Sequence, residues 1–252
     1  MVLRFVFFLL LFVFTYFPVY SWEGILWRTL RPGKNLDMML IDDFEEKIKW
    51  NLANSLPVAS ILRFAEINPA DRGINNPGSD KNENLYRDEL DLLSESARIH
   101  GRTFSKTQKY SQELAVFFAN PGIDYQFMQA PEKDRHFLQG RPVAISLWVM
   151  GKGKRHALYA IFSNRVRQKI QIKMGNLDFS GWKRFEVTLP PDIARRNRIN
   201  HKVYEFRFDG LKITSNPAES AGNFLFACDL ISIMIDKTPG DYPGAEIKDN
   251  WK

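Results

Sequence analysis

The chain has 252 residues, with 35 Lys and Arg against 29 Asp and Glu, a formal net charge of +6 and a single cysteine. One cysteine excludes an intrachain disulfide, so an exported form must rely on its core or on partners, and the length suffices for one sizeable β domain or two small ones. The charge is uneven: residues 141–212 hold 16 Lys and Arg against 5 Asp and Glu, so this block defines what the protein attracts.

The N-terminus reads as a secretory signal. Arg4 precedes an apolar run from Phe5 to Phe17, Pro18 ends it, and Val19 and Ser21 suit the −3 and −1 positions of a cleavage site. The run is shorter than the roughly 20 residues needed to span a bilayer. Residues 1–21 are therefore expected to be a signal peptide, with no membrane span left after cleavage. Residues 22–40 mix aromatics with Pro and Gly without a clean period and read as an N-terminal arm. "LIDDFEE" from Leu40 then opens the regular structure.

Residues 67–112 are polar and rich in Asn, Asp, Gly, Pro and Ser. "NPADRG" and "NNPGSD" are turn material. Leu85, Leu90, Leu92 and Leu93 stand near helical spacing behind Asn82 or Asn84 as a cap, so the segment reads as a long insertion with one short helix.

From Glu113 to Asp236 short strands alternate with turns. "RPVAISLWVMG" sets Val143, Ile145, Leu147 and Val149 against Ala144, Ser146, Trp148 and Met150. "WKRFEVTLP" and "KVYEFRFDGLKIT" alternate likewise, and Pro190-Pro191 stop the former. This spacing predicts an all-β domain, a jelly roll or β-sandwich, over 41–236, with the polar insertion inside it and a tail at 237–252.

"RVRQKIQIKMG" at 165–175 raises a specific question. Val166, Ile170, Ile172 and Met174 fall on one strand face, and Arg165, Arg167, Lys169 and Lys173 on the other. Like charges in a row destabilise a sheet unless water or an opposite charge compensates. Together with Lys152, Lys154 and Arg155 in the preceding turn, and Lys183 and Arg184 in the following strand, they predict a broad basic, partner-binding surface. Long cations also guard strands against wrong pairing, which needs no partner. After export, an acidic protein surface, an anionic glycan or a membrane surface fits such a face better than nucleic acid.

Catalytic patterns are absent. His100, His136, His156 and His201 have no metal spacing, and the chain has no H-E-x-x-H, C-x-x-C, G-x-S-x-G, P-loop or dinucleotide glycine pattern. No enzyme activity is expected. Asp42, Asp43 and Glu45 on the first strand, with Asp229 near the end of the last, are candidate oxygen ligands for a structural Ca²⁺; otherwise no cofactor is expected. Solvation, or pairing of Asp43 and Glu45 with basic neighbours, explains the same acids. Trp148, opposite Ile145 and Leu147, is the candidate groove or interface aromatic. Cys228 in "FLFACDLISIMI" reads as a buried, inert thiol.

"LIDDFE…W", "RPVAISLWVMG…HALYAIFSN", "GNLDFSGWKRFEVTLP" and "SNPAESAGNFLFACDLISIMID", in order from Leu40 to Asp236, resemble the FlaA-type flagellar filament outer layer proteins of spirochaetes. The resemblance implies a periplasmic, non-enzymatic sheath protein that serves motility. Its implied partners are the flagellin core filament, other sheath subunits or paralogues, and glycans on the core. The alternative is a periplasmic carbohydrate-binding, lectin-like module.

Overall fold

The computed structural model describes residues 30–45, 50–52, 59–66, 79–106, 110–118, 124–129, 137–164, 168–196, 204–220 and 222–238. The signal segment, Arg165 and Arg167, and the tail beyond residue 238 lie outside the described residues. The strands are β1 (Leu36–Asp42), β2 (Trp50–Leu52), β3 (Ala59–Glu66), β4 (Tyr110–Phe118), β5 (Asp124–Gln129), β6 (Leu138–Gln139), β7 (Arg141–Lys152), β8 (Ala157–Asn164), β9 (Lys169–Asn176), β10 (Ser180–Thr188), β11 (Arg195–Arg196), β12 (Tyr204–Thr214) and β13 (Gly222–Asp236). Among the described residues a helix, α1 (Ser79–Ile99), lies between β3 and β4.

The strands form two antiparallel sheets. Sheet I runs β10-β7-β13-β4-β3, with β1 also on β13; sheet II runs β2-β5-β12-β8-β9, with β6 and β11 on β12. The expected all-β jelly-roll sandwich is what the chain builds. Period-two alternation explains how. Ile145, Leu147 and Val149 of β7 face Leu158, Ala160 and Phe162 of β8 and Phe206, Phe208, Leu211 and Ile213 of β12 in one buried cluster. Each Val, Leu, Ile or Phe among them contributes about 1.5–3 kcal/mol when fully buried.

The opposite face of sheet I is also covered. Met38, Ala144, Trp148, Trp182, Leu230 and Met234 form a second core with Tyr86, Leu90 and Leu93 of α1. A bulge in β13 makes this possible. The register slips between Asp229 and Ser232, and Leu230 takes φ +49°. Inward positions therefore run Phe224, Phe226, Cys228 and then Ile231, Ile233, Ile235. Asp229 and Leu230 both turn toward the helix side, as an extra bulge residue allows.

The helix is longer than the sequence suggests, at 21 residues. Tyr86, Glu89, Leu90, Leu93, Ser96 and Ala97 are all buried, spaced to line one face. Glu89 and Ser96 look like solvent positions in the sequence, which hides a third of that stripe. Asn82 and Asn84 lie within the helix and do not cap it. Its C-terminus closes with Gly101 at φ +67° and the amide of Arg102 donating to Ala97 O at 2.7 Å.

The regular structure also begins earlier than Leu40. Leu36–Leu40, expected in the arm, already pair with β13. Asp37, fully buried, ties three segments together. Ser96 Oγ donates to it at 2.9 Å, Lys237 Nζ stands 2.5 Å away and Arg102 donates to it as well. Burial opposes its ionisation, but Lys237, Ser96 and Arg102 outweigh this and hold the carboxyl below its usual 3.8.

Candidate functional site

The outer face of sheet II carries the cations. Register puts Lys173, Tyr159 and Lys212 in one row across β9, β8 and β12, and Lys169, Ser163 and Arg207 in another. Residues opposite one another share a face. The two β12 cations are satisfied internally. Arg207 Nε donates to Asp209 Oδ1 at 2.7 Å and Ser163 Oγ at 3.2 Å, and its guanidinium lies 5.5 Å from the Phe137 ring. Lys212 Nζ donates to Asp124 Oδ2 at 2.8 Å and sits 5.4 Å from the centre of the Tyr159 ring.

The edge strand β9 differs. Lys169, Gln171 and Lys173 are exposed, while Ile170 and Ile172 are half-buried against the inter-sheet core and Met174 is buried. Among the described residues no carboxylate pairs with Lys169 or Lys173. The alternation expected for this segment is thus present from Lys169 onward.

The rest of the expected basic surface is dispersed. Lys152 is exposed at the end of β7, opposite Ser180 on sheet I. Lys154 and Arg155 follow the turn at Gly153, where φ is +72°. Both are taken up by Glu219 of the β12–β13 loop, at 3.7 and 3.0 Å. The Arg155 backbone and guanidinium donate to Glu219 and hold its carboxyl below the usual 4.5. Lys183 leans over Phe179 and Phe185. Arg184 is not on the surface at all. It is buried beneath α1 on the far sheet, because β9 and β10 belong to different sheets.

Trp148 likewise is no groove aromatic. It is 3% exposed, its ring meets Tyr86 edge-on at 5.3 Å, and its Nε1 donates to Glu89 Oε2 at 2.8 Å. The strand face opposite the inter-sheet core is covered by the helix, which the sequence did not foretell. Glu89 also accepts from Ser232 Oγ at 2.9 Å and pairs with Arg184 Nε at 2.9 Å, and Arg184 reaches Glu186 at 3.1 Å. No spacing rule marks Glu89 within "RDELDLL" as the buried acid.

The candidate Ca²⁺ ligands are not gathered. Only Asp42 lies on β1, and its two oxygens accept from Phe44 N and Trp50 Nε1, each at 2.8 Å. Asp43 accepts from Glu45 N at 3.3 Å. Asp229 is buried under α1 and accepts from Tyr86 OH at 3.4 Å. Among the described residues no three His, Cys, Asp or Glu side chains stand together as a metal-holding group. No helix among them is long and apolar enough to cross a membrane.

No curated protein matches the chain. Among solved structures it is similar to TmCBM61 in complex with beta-1,4-galactotriose, at 10% identity and TM-score 0.36, covering 74% of this chain and 88% of that one. It is also similar to the family 11 carbohydrate-binding module of a Clostridium thermocellum cellulosomal cellulase, at 13% identity and TM-score 0.38, covering 82% and 96%. Likenesses this distant bring no ligand to this chain. Residues 140–241 match the family model of the flagellar filament outer layer protein FlaA. The strands from β7 to β13, which build most of both sheets' packed centre, thus carry the FlaA-type pattern expected from the sequence resemblance.

Proposed function

We propose that this chain is a structural subunit of the outer layer of a periplasmic flagellar filament, coating the flagellin core and serving motility. The observation that carries this reading is the match of residues 140–241 to the outer layer protein FlaA. The docking surface is the outer face of sheet II along β9. Its exposed Lys169 and Lys173 lack a carboxylate partner among the described residues, whereas Arg207 and Lys212 already have one. An exposed ion pair is worth only about 0.2–1 kcal/mol. A coat engages its support in many copies, and such weak contacts sum. Charge complementarity at the same time sets register and discriminates partners.

Two measurements test this. Mass spectrometry of purified periplasmic flagella should contain the chain; its absence rejects the assignment. Co-sedimentation with filaments should fall sharply for K169E/K173E, with unchanged circular dichroism, and should weaken with salt for the native chain. Undiminished pelleting of the reversed variant rejects this face. A chain that binds isolated sugars on a glycan array and ignores filaments would be a lectin-like module instead.

A further inference from the structure

We propose that β9 is an acceptor edge to which a partner segment adds as a further strand of sheet II, and that this segment alternates acidic and apolar residues. The proposal rests on the docking reading above and specifies its chemistry. β9 ends sheet II, and among the described residues β8 is its one pairing strand. Lys169 to Lys173 pair with β8 in unbroken register, and the register slips only beyond Lys173. This stretch contains no proline. Its outer row is exposed and cationic. Its inner row, Ile170 and Ile172, is half-buried, whereas the inner row of central β8 (Leu158, Ala160, Phe162) is fully buried.

Among the described residues, an open backbone edge, a half-covered apolar row and an unneutralised cationic row therefore coincide on five residues. A strand laid there gains main-chain hydrogen bonds. Its alternate side chains fall on the two faces, acids toward Lys169 and Lys173 and apolar groups over Ile170 and Ile172. A second copy of β9 does not fit. Antiparallel pairing about Gln171 would set Lys169 opposite Lys173, and like charges directly opposite are destabilising. The lysines thus exclude self-pairing and basic strands while admitting an acidic one, so edge protection and recognition come from the same residues. The other edge formed by this part of the chain, β10, is less open, because Trp182 and Arg184 on it are buried under α1.

The test uses the full chain, an eight-residue peptide of alternating Glu and Val, a block peptide of the same composition and a Lys-Val counterpart. Binding is followed by calorimetry, and strand addition by hydrogen exchange of the 169–173 amides. The alternating acidic peptide should bind and slow exchange in this stretch about tenfold or more, with K169E/K173E inverting the preference toward the Lys-Val peptide. Equal binding of the block peptide, binding without β9 protection, or no binding overturns the proposal. Co-sedimentation of the native chain with filaments, run in parallel, separates the two readings. Pelleting without β9 protection sinks strand addition alone, whereas failure to pellet sinks the docking reading itself.

Discussion

Glu89→Ala isolates the connection between α1 and sheet I. The Glu89 carboxylate is buried, accepts from Trp148 Nε1 at 2.8 Å and Ser232 Oγ at 2.9 Å, and forms an ion pair with Arg184 Nε at 2.9 Å. Removing it leaves the Arg184 guanidinium, 6% exposed, pairing with Glu186 at 3.1 Å and donating to Ser146 Oγ at 2.9 Å. It also strands an indole N–H. Breaking a buried ion pair from one side costs about 3–5 kcal/mol, because the surviving charge stays out of water. At about 2–4 °C per kcal/mol for a domain this size, the melting temperature should fall by about 10 °C. Urea titration followed by tryptophan fluorescence is the assay, since Trp148 and Trp182 both lie under the helix. Replacing the whole buried group, as in E89L/R184M/E186L, should recover most of the loss, because apolar replacement of a complete buried ion triad is often neutral. A loss below about 1 kcal/mol in Glu89→Ala, or a triple variant as unstable as the three singles added, would refute the account.

Asp37 is held ionised below its usual 3.8, burial being outweighed by Lys237, Ser96 and Arg102. Its contribution is therefore full above the unfolded-state value and is lost as pH falls through the lower folded value, so Asp37→Asn should flatten acid unfolding below about pH 4. His156 is shifted the other way for a base. Burial pushes its pKa below 6.5, and its Nδ1 accepts from Asn216 N at 3.2 Å. The unfolded chain then binds the extra proton, so stability drops as pH falls below about 6.5, and an NMR titration should place the folded ring's midpoint below that of the unfolded chain. Cys228 is fully buried, and desolvation, with Asp42 and Asp229 nearby, drives its thiol well above 9.0. It should resist a thiol reagent in the native state and react fully in urea; rapid native labelling would contradict its inward position.

The strands were legible because a strand half-buried in a sandwich writes its two faces into alternate residues. β7, β10 and β12 could be read that way, as could Lys169 to Met174 of β9 with its apolar and cationic rows. The jelly-roll class follows from many such segments with turns between them. Less could be read of what lies on top of a sheet. Nothing in "RDELDLL" says that Glu89 is buried, or that its partner is Arg184, 95 positions later. For the same reason Trp148, assigned by alternation to the face away from the core, seemed available to a ligand.

The sequence alone determined the sandwich, the exposed lysines of β9 and the inward thiol, because periodicity and burial are local consequences of strand geometry. Only the tertiary structure decided which cations remain available. It assigned β9 and β10 to different sheets, buried Arg184 under α1 and spent Lys154 and Arg155 on Glu219. The physical reason is that whether a charge is neutralised depends on long-range juxtaposition, which no local period encodes.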